Sequence, residues 1–142
     1  MLASTEHTER LVAEAGFLWY GDYNHIDLPC CLAVGGRTLV AIPHSDFADH
    51  RVLRGSPRDW YDVYQDTFDY LYRNEPTSYL NITVHCHFGG RPLIAAQIDR
   101  LLKYFRGFPD VWIVRHDELA KWVLDHDIRE WTNGARFYPE AD

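Results

Sequence analysis

Basic residues are in short supply. Lys and Arg total 14 against 21 Asp and Glu, a formal net charge of −7, and they are scattered instead of clustered. Neutralising a phosphate backbone takes a basic patch, so nucleic acid is not an expected partner. Long apolar runs are missing too. Nothing approaches the ~20 residues of a membrane-spanning helix, and the N-terminal MLASTEHTERLV is too polar for a secretory leader. No membrane association is expected. Cysteine numbers three, an odd count with Cys30 and Cys31 adjacent, which is a poor basis for a disulfide framework. A reducing, cytoplasmic setting is the expectation. No internal repeat, low-complexity tract or linker interrupts the chain, so residues 1–142 read as one domain that ends in a polar, aromatic-dotted tail over 130–142.

What is present in quantity is apolar surface. Hydrophobic residues make up 46% and charged ones 25%, an ordinary globular balance that argues against disorder. Aromatics reach 15%, with five Trp and nine Tyr. That is enough large side-chain surface to fill a core or to serve a large permanent interface.

Periodicity alternates strands with helices. Ser4-Thr5 look like a helix cap, Leu11, Val12 and Ala15 share a face, and Gly16 closes the helix in a left-handed conformation. Residues 17–23 (FLWYGDY) read as a short strand, 24–29 (NHIDLP) as a loop, 34–37 (VGGR) as a turn and 38–43 (TLVAIP) as a buried strand. The stretch 44–55 is polar and irregular, a loop long enough to suggest a functional one. Ser56-Pro57, with Asp59 in the first turn, opens a helix along which Trp60, Tyr64, Phe68, Leu71 and Tyr72 recur at helical spacing.

The stretch that organises the chain is 80–120. It reads as strand, glycine turn, helix, strand and the start of another helix. His85 and His87, two apart on the strand, would share one face, with Cys86 on the other. Gly89-Gly90 stop the strand, and Pro92 stands where a helix begins. Ile94, Ile98, Leu101, Leu102 and Phe105 form one helical stripe, 111–114 (VWIV) is a continuous apolar strand, and Asp117 is the expected cap of the last helix. Catalytic groups of α/β folds gather at the carboxyl ends of parallel strands, and His85 and His87 sit at such an end. Four strands alternating with four helices imply a parallel sheet with helices outside, about half of an α/β barrel, which typically needs ~250 residues. Half a barrel leaves open edges and an uncovered inner face that something must close.

Four stretches resemble the C-terminal half of polysaccharide deacetylase-like hydrolases, the branch with allantoinase-like, cyclic-imidase-like and peptidoglycan-deacetylase-like proteins. TERLVAEAGFLW is similar to that family's leucine-rich helix followed by E-A-G-F. HIDLPC resembles its D-D-L-P-Y, with Ile26 for the first Asp and Cys30 for the aromatic. VHCHFGGRP resembles L-H-P-x-x-x-G-R-P, with Cys86 for the proline. FPDVWIVRHDELAKW resembles the closing V-W-x-A-R-x-x-x-I-A-x-W. The resemblance implies half of an irregular (β/α) barrel and a metal-dependent hydrolase of amide C–N bonds. His85 then corresponds to the family's late histidine, a proposed general acid, a role suited to imidazole because it titrates near neutrality. Asp27 matches the Asp before Leu-Pro.

The family's metal ligands, an Asp and an H-x-x-x-H pair, have no counterpart, since no H-x-x-x-H occurs in the chain. By resemblance the divalent metal, zinc by expectation, is then held by a larger deacetylase-like partner subunit. The alternatives are a shortened piece of a longer protein or a non-catalytic homologue. A helix cap just after Met1 and the tail favour the two-subunit account. Length and class also resemble the small subunit of a two-subunit aryl-ether hydrolase that demethylates dinitroanisole. The expected site is His85 as catalytic residue, with Asp27, His87 and Trp112 toward a small cyclic or aromatic substrate. Each has a plainer reading: a strand-end histidine, a turn-capping Asp beside Pro29, a wall residue, and a core or interface tryptophan. His44, Asp46, Asp49 and His50 have ligand chemistry but irregular spacing, which fits a solvated loop better. Gly89-Gly90-Arg91 lacks the rest of any nucleotide motif and reads as a tight turn.

Overall fold

The computed structural model describes residues 4–45 and 56–129. In chain order the elements are α1 (Thr8–Glu14), β1 (Trp19–Tyr23), β2 (Cys30–Val34), β3 (Arg37–Pro43), α2 (Pro57–Asn74), α3 (Cys86–Gly89), α4 (Pro92–Phe105) and α5 (His116–Asp125). They fall into two compact units, one built from the stretches up to His44 and from Val114 onward, the other from Ser45 to Ile113. No helix among the described residues is long and apolar enough to cross a membrane.

The first unit is a three-stranded sheet in the order β1-β3-β2, with β1 parallel and β2 antiparallel to β3. Leu39, Val40, Ala41 and Ile42 of the central strand are all fully buried, the pattern of a strand covered on both faces. Helices α1 and α5 pack against the sheet, α5 through Leu119, Ala120 and Val123. The glycine turn expected at 34–37 joins β2 to β3: Gly35 and Gly36 have φ of 57° and 77°, as a two-residue hairpin with both turn residues left-handed requires. Strand β2 itself was not expected. It pairs from Cys30↔Ala41 to Val34↔Arg37, and Cys31 also bridges Arg129 beyond α5. Both cysteines of β2 are buried and neither is joined in a disulfide.

Two caps differ from expectation. Helix α1 starts after His7, which makes no side-chain cap bond, because Ser4 instead donates to Asp22 Oδ2 at 2.8 Å and meets the Tyr20 hydroxyl. At α5 the cap position is Arg115, with Asp117 inside the first turn and ion-paired to Arg115 at 3.0 Å. The left-handed Gly16 is as expected, at φ 82°. Its N–H and that of Phe17 reach back to Ala13 and Val12 at 3.1 and 3.2 Å, a Schellman closure.

The second unit is an aromatic core between α2 and α4. The expected capping box opens α2, with Ser56 N donating to Asp59 Oδ2 at 2.8 Å. Trp60, Tyr61, Tyr64 and Phe68 meet Leu101 and Phe105, Phe68 and Phe105 lying 4.6 Å apart between ring centroids. Ile94 is buried and Ile98 packs against the cluster, whereas Leu102 leaves the expected stripe and is exposed. The strands expected over 80–87 and 111–114 do not form: strands among the described residues end with β3 apart from the single bridge at Arg129. Residues 80–84 and 111–115 have no strand pairing, Leu80, Ile82, Val84 and Val111 pack on the α2–α4 core, and from Cys86 the chain coils into α3.

Candidate functional site

Alternate residues tie the segment before His85 to the helices. Leu80, Ile82 and Val84 pack on the α2–α4 core, and the Thr83 N–H donates to the buried Tyr64 hydroxyl at 3.4 Å. His85 is the last extended residue, at φ −79° and ψ 132°. Its carbonyl accepts the N–H groups of Phe88 and Gly89 at 2.9 and 2.6 Å, which winds the chain into α3. Gly89 is buried there against Val84; a Cβ on it would lie 1.9 Å from Val84 Cγ1. Arg91 Nε–H returns to the His87 carbonyl at 3.3 Å, and Pro92 starts α4.

His85 and His87 do come together, but not as two residues on one strand face. His85 precedes and His87 lies within a single helical turn, with ring centroids 5.6 Å apart at an interplanar angle of 69°. Both are exposed, as are Cys86 and Phe88, and the His87 ring rests 4.6 Å from that of Phe88. Trp112 belongs to the same unit and is 56% exposed. Asp27 belongs to the other unit, exposed in the bend between β1 and β2. Of the loop donors, His44 is described and donates its backbone N–H to Tyr23 O at 2.5 Å; Asp46, Asp49 and His50 lie outside the described residues.

Burial sets the protonation of several groups. The Tyr79 phenol, just upstream of this segment, is pushed up to about 12 by desolvation, so it stays neutral at physiological pH. Burial also raises the Cys31 thiol, against the opposing pull of Arg129, which leaves it a packed thiol and not a nucleophile. Desolvation lowers His116, whose ring meets Trp19 edge-on at 4.8 Å.

Two contributors escape a sequence reading. Tyr64 sits in an apolar helical stripe and looks like core, yet its hydroxyl anchors the backbone leading to His85. Gly89 looks like a strand stop, whereas its missing side chain lets α3 close onto Val84. No residue pattern marks either contact. As for a metal, no group of three or more His, Cys, Asp or Glu among the described residues could hold one. Two adjacent imidazoles do not make the donor set that such a hydrolase centre needs, so these residues do not fit the metal implied by the resemblance.

No family profile and no curated protein matches the chain. Solved structures do. A protein from Pseudomonas aeruginosa PAO1 assigned as a polysaccharide deacetylase is 29% identical with a TM-score of 0.76, covering 89% of this chain and 46% of its own. Puue allantoinase is 31% identical with a TM-score of 0.77, covering 87% of this chain and 45% of its own. A Mycobacterium smegmatis protein assigned as a polysaccharide deacetylase is 26% identical with a TM-score of 0.79, covering 90% of this chain and 48% of its own. The chain thus spans about half the length of these relatives while nearly all of it is matched. The order of helix, strand and helix, the closing turn after His85 and these likenesses together give one conclusion: the chain belongs to the superfamily of polysaccharide deacetylases and allantoinase and has their hydrolase-like fold.

Proposed function

We propose that the chain is the small subunit of a heteromeric metal-dependent hydrolase, a half of the irregular (β/α) barrel that a larger deacetylase-like subunit completes. The single observation that carries this reading is the exposed His85–His87 pair on a built turn, in a chain that covers under half of each hydrolase-like relative. The divalent metal, zinc in this proposal, belongs to the larger subunit. His85 acts as general acid: its imidazolium hands a proton to the nitrogen or oxygen that departs from the substrate. Proton transfer by a positioned side chain contributes ~10²–10⁴-fold. His87 and Trp112, in the same unit as His85, are the substrate-side residues, and the substrate is a small cyclic or aromatic molecule cleaved at an amide or imide C–N bond or at an activated aryl ether.

The test is His85→Gln in the two-chain complex. A fall in kcat of ~10²-fold or more, with loss of one limb of the pH profile, supports the acid role. An unchanged rate leaves the chain a structural or regulatory subunit.

A further inference from the structure

We propose that Arg91 is an anion anchor beside the His85–His87 pair, and that the substrate carries a carboxylate which Arg91 grips. This rests on the hydrolase reading above and deepens it by naming a charge on the substrate. The placement of Arg91 follows from the turn. Its backbone N–H donates to the Phe88 carbonyl at 3.0 Å, and its Nε–H reaches the His87 carbonyl at 3.3 Å. The guanidinium is thereby tied to the turn that carries both imidazoles, whose ring centroids are 5.6 Å apart. With Nε spent on that carbonyl, the terminal Nη1 and Nη2 groups remain as the fork that holds a carboxylate through paired N–H bonds. No carboxylate of the chain takes up that fork. Arg91 makes no ion pair among the described residues, whereas Arg10, Arg73, Lys103, Arg115 and Arg129 each hold an Asp or Glu. It is exposed, as are His85 and His87, so one small ligand has access to all three.

The distribution of charge points the same way. Asp and Glu total 21 in the chain, yet none occurs from Pro76 to Ile98. The side chains of that stretch that carry or can take up positive charge, His85, His87 and Arg91, all fall between residues 85 and 91. The net charge of −7 repels an anion at long range, but physiological salt screens that field within about 8 Å, so the immediate neighbours decide. A carboxylate is the anion that suits them. It is planar and matches a single guanidinium fork, whereas the glycine-rich amide loop of a nucleotide phosphate site is missing. Anchoring one end of a small molecule at Arg91 also turns proton transfer from His85 into a positioned step.

The experiment titrates the full-length chain with benzoate and, separately, with benzamide, a neutral molecule of the same shape. Binding is read by ligand-observed saturation-transfer NMR. The expected result is saturable binding of benzoate and none of benzamide. Arg91→Gln should weaken benzoate binding by about tenfold or more, as loss of a charge-assisted hydrogen bond does. Arg106→Gln, at the exposed far end of α4, should bind benzoate as wild type does. Both arginines are exposed, so neither substitution opens the core. A second measurement on the wild-type chain places the ligand: benzoate should slow acylation of His85 and His87 by diethyl pyrocarbonate, mapped by mass spectrometry, and leave the exposed His126 unprotected. Equal binding of benzamide, unchanged binding by Arg91→Gln, an equal loss in Arg106→Gln, or no protection of the two histidines overturns the proposal. The two readings fail separately. Full turnover by His85→Gln in the two-chain complex, with benzoate still dependent on Arg91, removes the acid role and leaves the anion anchor standing.

Discussion

A methyl group on Gly89 has nowhere to go. It would meet Val84 Cγ1 at 1.9 Å and Val84 Cβ at 3.3 Å, and a β-branched side chain is too stiff to swing aside. Gly89→Ala is therefore expected to cost ~1–3 kcal/mol, the usual cost of overpacking. Val84→Ala in the same chain opens the space, so the double variant should be more stable than the sum of the two singles predicts. Denaturant unfolding of all four proteins measures the coupling, and strict additivity would refute the contact. His116 gives a pH signature at the same scale. Its folded value is lowered from 6.5 by desolvation, so in the window just below 6.5 the unfolded chain binds more protons than the folded one. Stability then rises with pH: the contribution is complete above the ordinary histidine value and is lost as pH falls from there through the lowered one. His116→Gln should flatten the thermal midpoint between about pH 7.5 and 5 relative to wild type, given an unperturbed value near ~6.5.

Among the elements, α4 separates neighbours sharply. Leu101 is fully buried whereas Leu102 is 40% exposed. Leu101→Ala should cost ~2–5 kcal/mol through lost contacts and a cavity, and Leu102→Ala within about 0.5 kcal/mol; similar losses at both would contradict the packing. The helices were legible because α2, α4 and α5 carry strong apolar stripes and α2 and α4 open with proline. Strand β2 was not, because Cys30 follows Pro29 in what reads as loop and the segment between that and the glycine turn is short. The segments over 80–84 and 111–114 were misread for a different reason. Their composition is that of strands, but Leu80, Ile82, Val84 and Val111 pack on the α2–α4 core and neither segment forms a strand. At the candidate site, residue type and motif single out His85 and His87, which the structure brings side by side. Their geometry was not legible, since a glycine that admits Val84 and a tyrosine hydroxyl that holds Thr83 leave no trace in spacing.

At the level of the whole molecule, the question is what a chain of this kind does in isolation. It carries a net charge of −7, which favours solubility and resists self-association. Against that stand Phe17, Tyr70, Leu93, Trp112 and Ile113, each more than half exposed, and exposed apolar surface marks an interaction site or an aggregation liability. If a larger deacetylase-like chain covers part of this surface, the two effects resolve differently alone and together. The chain expressed by itself should show a broad, concentration-dependent mass by light scattering and hold no stoichiometric metal. Co-expressed with a larger deacetylase-like chain of the same source, it should elute as one sharp heteromer whose metal content follows the larger subunit. A monodisperse homo-oligomer that ignores the larger chain would remove the heteromer and leave a self-contained binding protein. The decisive contrast is the mass, because metal content reports on the partner, whereas the mass reports on the exposed surface of this chain.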